Sequence, residues 1–148
     1  MKTKIVPDTW FFILLVLSFL SHYLVPLAGG VPHPYHLTGI ALVVLGFALT
    51  LAANWMMIKN RTTNMPGGTP EMLMTKGPFK ISRNPVYLGM TIILLGVEIL
   101  LGSLSALIIP LIFVIIIDRL FIKPEEEVLA NRFGERYLEY KKSVRRWI

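Results

Sequence analysis

Four long apolar stretches dominate the chain and limit what it can fold into. They run over residues 10–27, 37–58, 86–101 and 104–121, and each approaches the roughly 20 residues that a helix needs to cross hydrocarbon. A backbone in hydrocarbon must satisfy its own hydrogen bonds, so each stretch is predicted to be helical. Because 54% of the 148 residues are hydrophobic, the chain is too apolar for a soluble domain of this size. One integral membrane domain over residues 1–148 is therefore predicted.

The first and last stretches need separate comment. Lys2 and Lys4 precede the first stretch as in a signal peptide, but no convincing cleavage site follows, so we interpret it as a retained span. Only Gly102 and Ser103 separate the third stretch from the fourth. These two are therefore predicted to form a tight helical hairpin, with a kink at Pro110 in its second arm.

The distribution of basic residues predicts the orientation in the membrane. Of the 15 Lys and Arg residues, two precede the first stretch, five lie within 59–85 and eight follow residue 117, while 28–36 and 102–103 contain none. With four crossings, all of them fall on one side, which predicts an inner or plasma membrane protein with both termini cytoplasmic. This topology explains the net charge of +6 better than nucleic-acid binding does, so no nucleic-acid partner is expected.

The polar C-terminal region is predicted to form an amphipathic helix. Pro124 and the acidic residues 125–127 begin it and basic residues end it, which complements the helix dipole. Its apolar residues recur at spacings of three and four, namely Leu129, Phe133, Tyr137, Tyr140 and Val144. Gly134 weakens the pattern locally. The predicted fold is an all-α integral membrane bundle of about four transmembrane helices, with this C-terminal cytoplasmic helix along or beneath it.

Two polar segments, 75–89 and 124–129, meet the same cytoplasmic face in this topology. One offers Arg83, Asn84 and Tyr87 and the other offers carboxylates, beside an apolar opening to the bilayer that suits one polar cofactor and one lipophilic substrate. Each residue alone has a simpler explanation, since first-turn acids complement the helix dipole and arginines anchor topology. With no cysteine and no metal-ligand spacing among the histidines, no metal site is predicted.

Three motifs together carry a family resemblance. They are Gly77-Pro78-Phe79, the run from Arg83-Asn84-Pro85 to Tyr87-Leu88-Gly89, and Glu125-Glu126 with the aromatic residues that follow. In this order they resemble the isoprenylcysteine carboxyl methyltransferase and phospholipid methyltransferase superfamily over about residues 37–148. The resemblance implies a helical membrane enzyme that binds S-adenosylmethionine near the cytoplasmic face and takes a lipid-like acceptor from the bilayer.

The resemblance also implies roles for individual residues. Arg83 and Glu126 are the expected catalytic residues, and Glu126 could serve an amine acceptor as a base if burial raised its pKa. A charge-assisted bond from Glu125 to the amino group of the cofactor is physically reasonable. The residues expected to bind the cofactor are Leu73, Met74, Phe79, Asn84, Pro85, Tyr87 and Glu125.

The chain departs from the superfamily pattern at two positions. Asn84 stands where the usual Arg-His-Pro motif has histidine, which excludes a histidine base at that position. The arginine that contacts the prenylcysteine carboxylate in the eukaryotic enzymes would fall at Phe121, with Arg119 two residues away. An isoprenylcysteine-like carboxylate, a phospholipid-like amine and a small thiol all stay open as acceptors.

Two further acids and one other function complete the expectations. Glu98 and Asp118 lie within or at the ends of predicted spans, where an ionisable group is a candidate for function, although an acid at the far interface is an equal alternative for Glu98. The alternative to an enzyme is a small non-enzymatic membrane adaptor or transporter accessory subunit. In that protein the same residues would be helix caps and topology anchors.

Overall fold

The computed structural model describes residues 6–24, 34–62, 70–102 and 108–148, and the regular structure within these ranges is helical. The α-helices are α1 (Pro7–Leu24), α2 (Thr38–Lys59), α3 (Pro85–Leu101), α4 (Ile108–Ile117), α5 (Lys123–Phe133) and α6 (Glu135–Ser143). Two short 3-10 helices, Tyr35–Leu37 and Gly77–Lys80, precede α2 and α3, and a π-helical turn, Asp118–Ile122, joins α4 to α5.

Two of these helical segments are long and apolar enough to cross a membrane. They are α1, with 18 residues, and the 25-residue segment Tyr35–Lys59 that contains α2. Helix α3 is apolar but shorter, at 17 residues. Gly102 follows its last residue and adopts a left-handed conformation with φ of 66°. The turn of the predicted hairpin and the start of the predicted fourth span lie outside the described residues.

Helices α2 and α3 pack with their backbones in close approach. The Cβ of an alanine at Gly46 would lie 2.6 Å from the carbonyl oxygen of Gly89, and one at Gly96 would lie 2.8 Å from that of Gly39. Glycine spaced at seven residues on each helix allows this approach, because a larger residue at either position would separate the two backbones. In the sequence, glycine recurs at seven-residue spacing in both apolar stretches, at Gly39 and Gly46 and at Gly89 and Gly96, which predicts close helix packing. The structure confirms this prediction.

Helices α1, α3 and α4 bury the main apolar core between them. Its members include Leu14 from α1, Leu94 from α3 and Phe113 from α4. Glu98 lies in this core with its side chain fully buried, hydrogen-bonded to the Ser18 hydroxyl of α1. The Glu98 carboxyl is therefore enclosed by the protein, and both its functional role and its place at the far interface stay predictions.

The chain continues from α4 into α5 through the π-helical turn rather than starting a new helix at Pro124. The N–H of Lys123 donates to the carbonyl of Asp118, five residues back. The wider turn adds one residue just before Pro124, whose ring would clash with a carbonyl in an uninterrupted α-helix. Residues of the predicted fourth span thus share one helical rod with α5.

The predicted single C-terminal helix is divided into two at Gly134. This residue has φ of 52° and ψ of −127°, a conformation that only glycine adopts at low cost. The break redirects α6 and buries Tyr137 and Tyr140. After Ser143 the chain becomes extended, and it returns to the start of α3, where the N–H of Arg83 donates to the carbonyl of Arg145 at 3.0 Å.

Candidate functional site

The loop that leads into α3 is fastened to the C-terminal segment. The Asn84 side-chain amide donates to the carbonyl of Arg146 at 3.0 Å, and the Ser82 hydroxyl donates to the same carbonyl at 3.0 Å. Pro85 then begins α3 and is buried, because its fixed φ and missing N–H suit the first turn of a helix. The two residues predicted from the motif, Asn84 and Pro85, therefore shape the start of α3.

Tyr87 and Glu125 form a direct contact between α3 and α5. The Tyr87 hydroxyl donates to Oε1 of Glu125 at 2.8 Å, and the Tyr87 side chain is buried. Burial raises the pKa of Glu125 to about 7, and the hydrogen bond from Tyr87 only partly opposes this effect. Glu125 is therefore a carboxyl group that changes charge near neutral pH.

Glu126 has a different environment. Its carboxylate accepts a 2.7 Å hydrogen bond from Arg83, and bonds of 2.6 and 3.1 Å from Arg146. Burial by itself would raise the pKa of Glu126, but the hydrogen bonds and charges of Arg146 and Arg83 outweigh burial and hold this pKa below its ordinary value. The raised pKa that a Glu126 base would need is not found, and the neighbouring Glu125 has it instead.

Arg146 extends this network to Asp118 in the π-helical turn. Its Nη1 lies 3.0 and 3.3 Å from the two carboxylate oxygens of Asp118. In an unbroken α-helix, residues eight positions apart point about 80° apart, but the extra residue of a π turn reduces this angle to about 20°. The turn thus brings Asp118 and Glu126 to one side of the rod, where a single guanidinium binds both.

Arg83 is held by the C-terminal segment as well as by Glu126. Its Nη1 donates to the carbonyl of Val144 at 2.8 Å and to that of Lys141 at 3.1 Å. Both terminal nitrogens of this guanidinium therefore have partners within the protein. The sequence predicted Arg83 and Glu126 at one site, and the structure joins them in an ion pair.

The remaining predicted residues lie in the apolar surroundings of this end. Met74 and Phe79 are buried in the same cluster as Tyr87, and Leu73 is half-buried. The Phe79 carbonyl accepts a 2.6 Å hydrogen bond from the Tyr140 hydroxyl, so α6 also holds the segment before α3. The predicted residues thus occupy one end of the molecule, with an apolar part and a polar part.

Phe121, which departs from the superfamily pattern, and the nearby Arg119 have different surroundings. Phe121 is 2% exposed within the core, whereas Arg119, two residues earlier, is exposed. Within the described ranges, no three His, Asp or Glu side chains come together in a way that could hold a metal ion.

Arg146 is the contact residue that the sequence reasoning missed. The basic residues near the C-terminus were expected to complement a helix dipole, and Arg146 instead lies beyond the end of α6. Its pairing with Glu126 spans 20 residues and follows no helical spacing. The sequence feature that could have indicated this contact is Asp118 at the end of a predicted span. An acid at such a position is expected to pair with a cation from elsewhere in the chain.

Comparison with known proteins identifies a relative and a family. Over 63 residues the chain is 38% identical to an uncharacterised protein of Haemophilus influenzae, and these residues are the whole of that protein and 43% of this chain. Residues 34–136 match the phospholipid methyltransferase family. The match includes α2, α3 and α5 with the Tyr87–Glu125 and Arg83–Glu126 contacts, whereas Arg146 lies beyond the matched range. The chain therefore belongs to the phospholipid methyltransferase family.

Proposed function

We propose that the protein transfers a methyl group from S-adenosylmethionine to a lipophilic acceptor that reaches the site from the membrane. The observation that carries this proposal is the Glu125 carboxyl group. It is hydrogen-bonded to a neutral phenol, while the neighbouring arginines, Arg83 and Arg146, bind Glu126 instead. A partly buried carboxylate that has no ion-pair partner among the described residues suits a cationic ligand.

The residues at this end fit S-adenosylmethionine in charge and polarity. Glu125 would bind the amino group of the cofactor, and the Tyr87 hydroxyl would orient the Glu125 carboxylate. Asp8 at the start of α1 interacts electrostatically with Tyr87 and adds negative charge. The apolar side chains of Met74 and Phe79 would contact the less polar parts of the cofactor. When bound, this cofactor supplies an electrophilic methyl group on a sulfonium.

Catalysis by these residues would consist mainly of binding, orientation and exclusion of water. Methyl transfer is an in-line displacement, so donor and acceptor must be held at near-attack distance. The catalytic role of Arg83 and Glu126 stays a prediction. Their mutual ion pair and the hydrogen bonds of Arg83 to C-terminal carbonyls support a role in keeping Tyr87 and Glu125 in contact.

The membrane arrangement completes the proposal. Helix α3 and the apolar segment containing α4 would be the third and fourth spans, with both termini cytoplasmic and the polar site at that face. Exposed apolar side chains on α2, such as Phe47 and Leu51, suit contact with membrane lipids. The acceptor would be an isoprenylcysteine-like carboxylate or a phospholipid-like amine that moves laterally from the bilayer.

The test is calorimetric titration of the purified protein in detergent with S-adenosylmethionine and S-adenosylhomocysteine. We expect saturable binding by the wild type and a loss of at least about tenfold in affinity in Glu125→Gln, the order of one charge-assisted hydrogen bond. Glu127→Gln is the matched control, because Glu127 lies in the same helix and is exposed. No binding by well-folded wild type would overturn the proposal and favour the non-enzymatic membrane subunit.

A further inference from the structure

Arg146 joins three parts of the protein through its side chain and its main chain. Its guanidinium binds Glu126 of α5 and Asp118 of the π-helical turn. Its carbonyl accepts hydrogen bonds from Ser82 and Asn84 at the start of α3. One residue outside every helix therefore connects the beginning of α3 with the rod that carries the acidic pair.

The direction of Glu126 determines the direction of Glu125. Adjacent residues of an α-helix point about 100° apart, so both carboxylates cannot face the same neighbour. With Glu126 turned toward Arg83 and Arg146, Glu125 faces Tyr87. A small rotation of α5 about its axis would break both contacts at once.

Arg83 alone does not fix this rotation. It reaches only Oε1 of Glu126, whereas Oε2 is bound by Arg146 at 2.6 Å with Lys141 more distant at 3.9 Å. Asp118 and Glu126 also share the charge of Arg146 on one side of the rod. Without that guanidinium, Arg83 and the more distant Lys141 would still pair with Glu126, but Asp118 on the same side of the rod would lose its partner, and repulsion between the two carboxylates would favour a turn of α5.

We propose that Arg146 is a positioning residue, which sets the rotation of α5 so that the Glu125 carboxylate meets the Tyr87 hydroxyl. Its effect on cofactor affinity rests on the proposed function, but its effect on the Tyr87–Glu125 contact does not. The first readout therefore uses no cofactor.

Fluorine NMR of protein labelled with 3-fluorotyrosine provides that readout. The chain has five tyrosines, and Tyr87→Phe identifies the Tyr87 resonance by its loss. Glu125→Gln defines the shift produced when the contact with the carboxylate is changed. We expect Arg146→Gln to move the Tyr87 resonance in the same direction. Arg145→Gln is the matched control, because it removes the same charge from an adjacent exposed side chain and should leave the resonance in place.

Arg146→Lys keeps the experiment decisive if Arg146→Gln does not fold. The lysine ammonium keeps the positive charge but cannot bind two carboxylates at once as the planar guanidinium does. The Tyr87 resonance should therefore move in the same direction as in Arg146→Gln, but by less. An unchanged Tyr87 resonance in a folded Arg146 variant would overturn the inference.

A double-mutant cycle on S-adenosylhomocysteine affinity gives the second readout. Introduced into the wild-type protein, Arg146→Gln should weaken binding about tenfold. Introduced into the Glu125→Gln variant, it should cause little further loss of affinity, because both changes act through one contact. Fully additive losses would mean that Arg146 acts on stability in general and would overturn the inference. If the wild type binds no cofactor, the proposed function fails, and the fluorine spectra alone decide the role of Arg146.

Discussion

Two neighbouring glutamates of α5 have environments that move their pKa values in opposite directions. Burial beside the Tyr87 phenol raises the pKa of Glu125 to about 7. The hydrogen bonds of Arg146 and Arg83 overcome burial at Glu126 and lower its pKa. The ionised form is therefore favoured at Glu126, while Glu125 is shifted toward the neutral form. This difference is the basis for the separate roles proposed for the two residues.

The raised pKa of Glu125 predicts how cofactor affinity depends on pH. A cationic ligand prefers the ionised carboxylate, which is present above pH 7 and is lost as the pH falls through about 7. The dissociation constant of S-adenosylmethionine should therefore increase on acidification from pH 7.5 to 5.5, by up to about tenfold per unit below the pKa. Calorimetric titrations across this range measure the change.

The control for this prediction is Glu125→Gln, whose affinity should be low and nearly constant over the same range. The amino group of the cofactor stays largely protonated below its ordinary pKa of about 8, so its own titration contributes little there. If Glu125→Gln retained the wild-type slope, another group would be responsible for the pH dependence.

At the scale of elements, the contact between α2 and α3 depends on glycine. A methyl group added at Gly46 would lie 2.6 Å from the Gly89 carbonyl oxygen and 2.7 Å from Cγ1 of Ile93. Both distances are too short, so the helices must separate. We expect Gly46→Ala to lower the free energy of unfolding by about 1–3 kcal/mol, the usual range for overpacking, and to lower the thermal unfolding midpoint in detergent.

Ala48→Leu is the comparison for Gly46→Ala. Ala48 lies on the exposed side of α2, where a larger apolar side chain would meet detergent or lipid instead of α3. This variant adds more volume than Gly46→Ala and should leave the midpoint nearly unchanged. Equal effects in the two variants would show that helix contact is not the cause.

The sequence predicts the elements better than it predicts how they join. Apolar length placed α1, α2 and α3, and seven-residue glycine spacing predicted the close approach of Gly46 and Gly89. The division at Gly134 was not predicted, because a helical apolar pattern continues across it. The π-helical turn has no compositional signature, and its extra residue becomes apparent only when Asp118 and Glu126 are seen on one side.

For the site as well, the sequence predicts which residues come together better than it predicts their contacts. The motifs correctly predicted that Arg83, Tyr87 and the acidic pair occupy one end of the molecule. The sequence could not indicate which acid meets which partner, since that depends on the rotation of α5. Arg146 escaped prediction because its side chain acts from an extended segment, where helical spacing provides no information.

At the scale of the whole molecule, polar contacts concentrate at one end of an apolar bundle. Arg83, Glu126 and Arg146 form ion pairs there, while the sides of α1 and α2 expose apolar residues such as Phe12 and Leu51. Glu98, which lies near the other end of α3, is enclosed and hydrogen-bonded. Such a distribution suits a protein whose sides contact lipid and whose chemistry takes place at one membrane surface.

The proposed orientation predicts which loops lie on each side of the membrane. Because the chain has no cysteine, labelling of introduced cysteines tests this prediction directly. Single cysteines in place of Tyr35, Lys76, Ser103 and Glu139 have no natural thiol as background. With four crossings and cytoplasmic termini, a membrane-impermeant maleimide should label positions 35 and 103 in intact cells. Positions 76 and 139 should react only after the membrane is permeabilised, because basic residues retain their segments on the cytoplasmic side. Labelling of 103 on the same side as 76 would mean that α3 does not cross, and the acceptor would then need another route to Glu125.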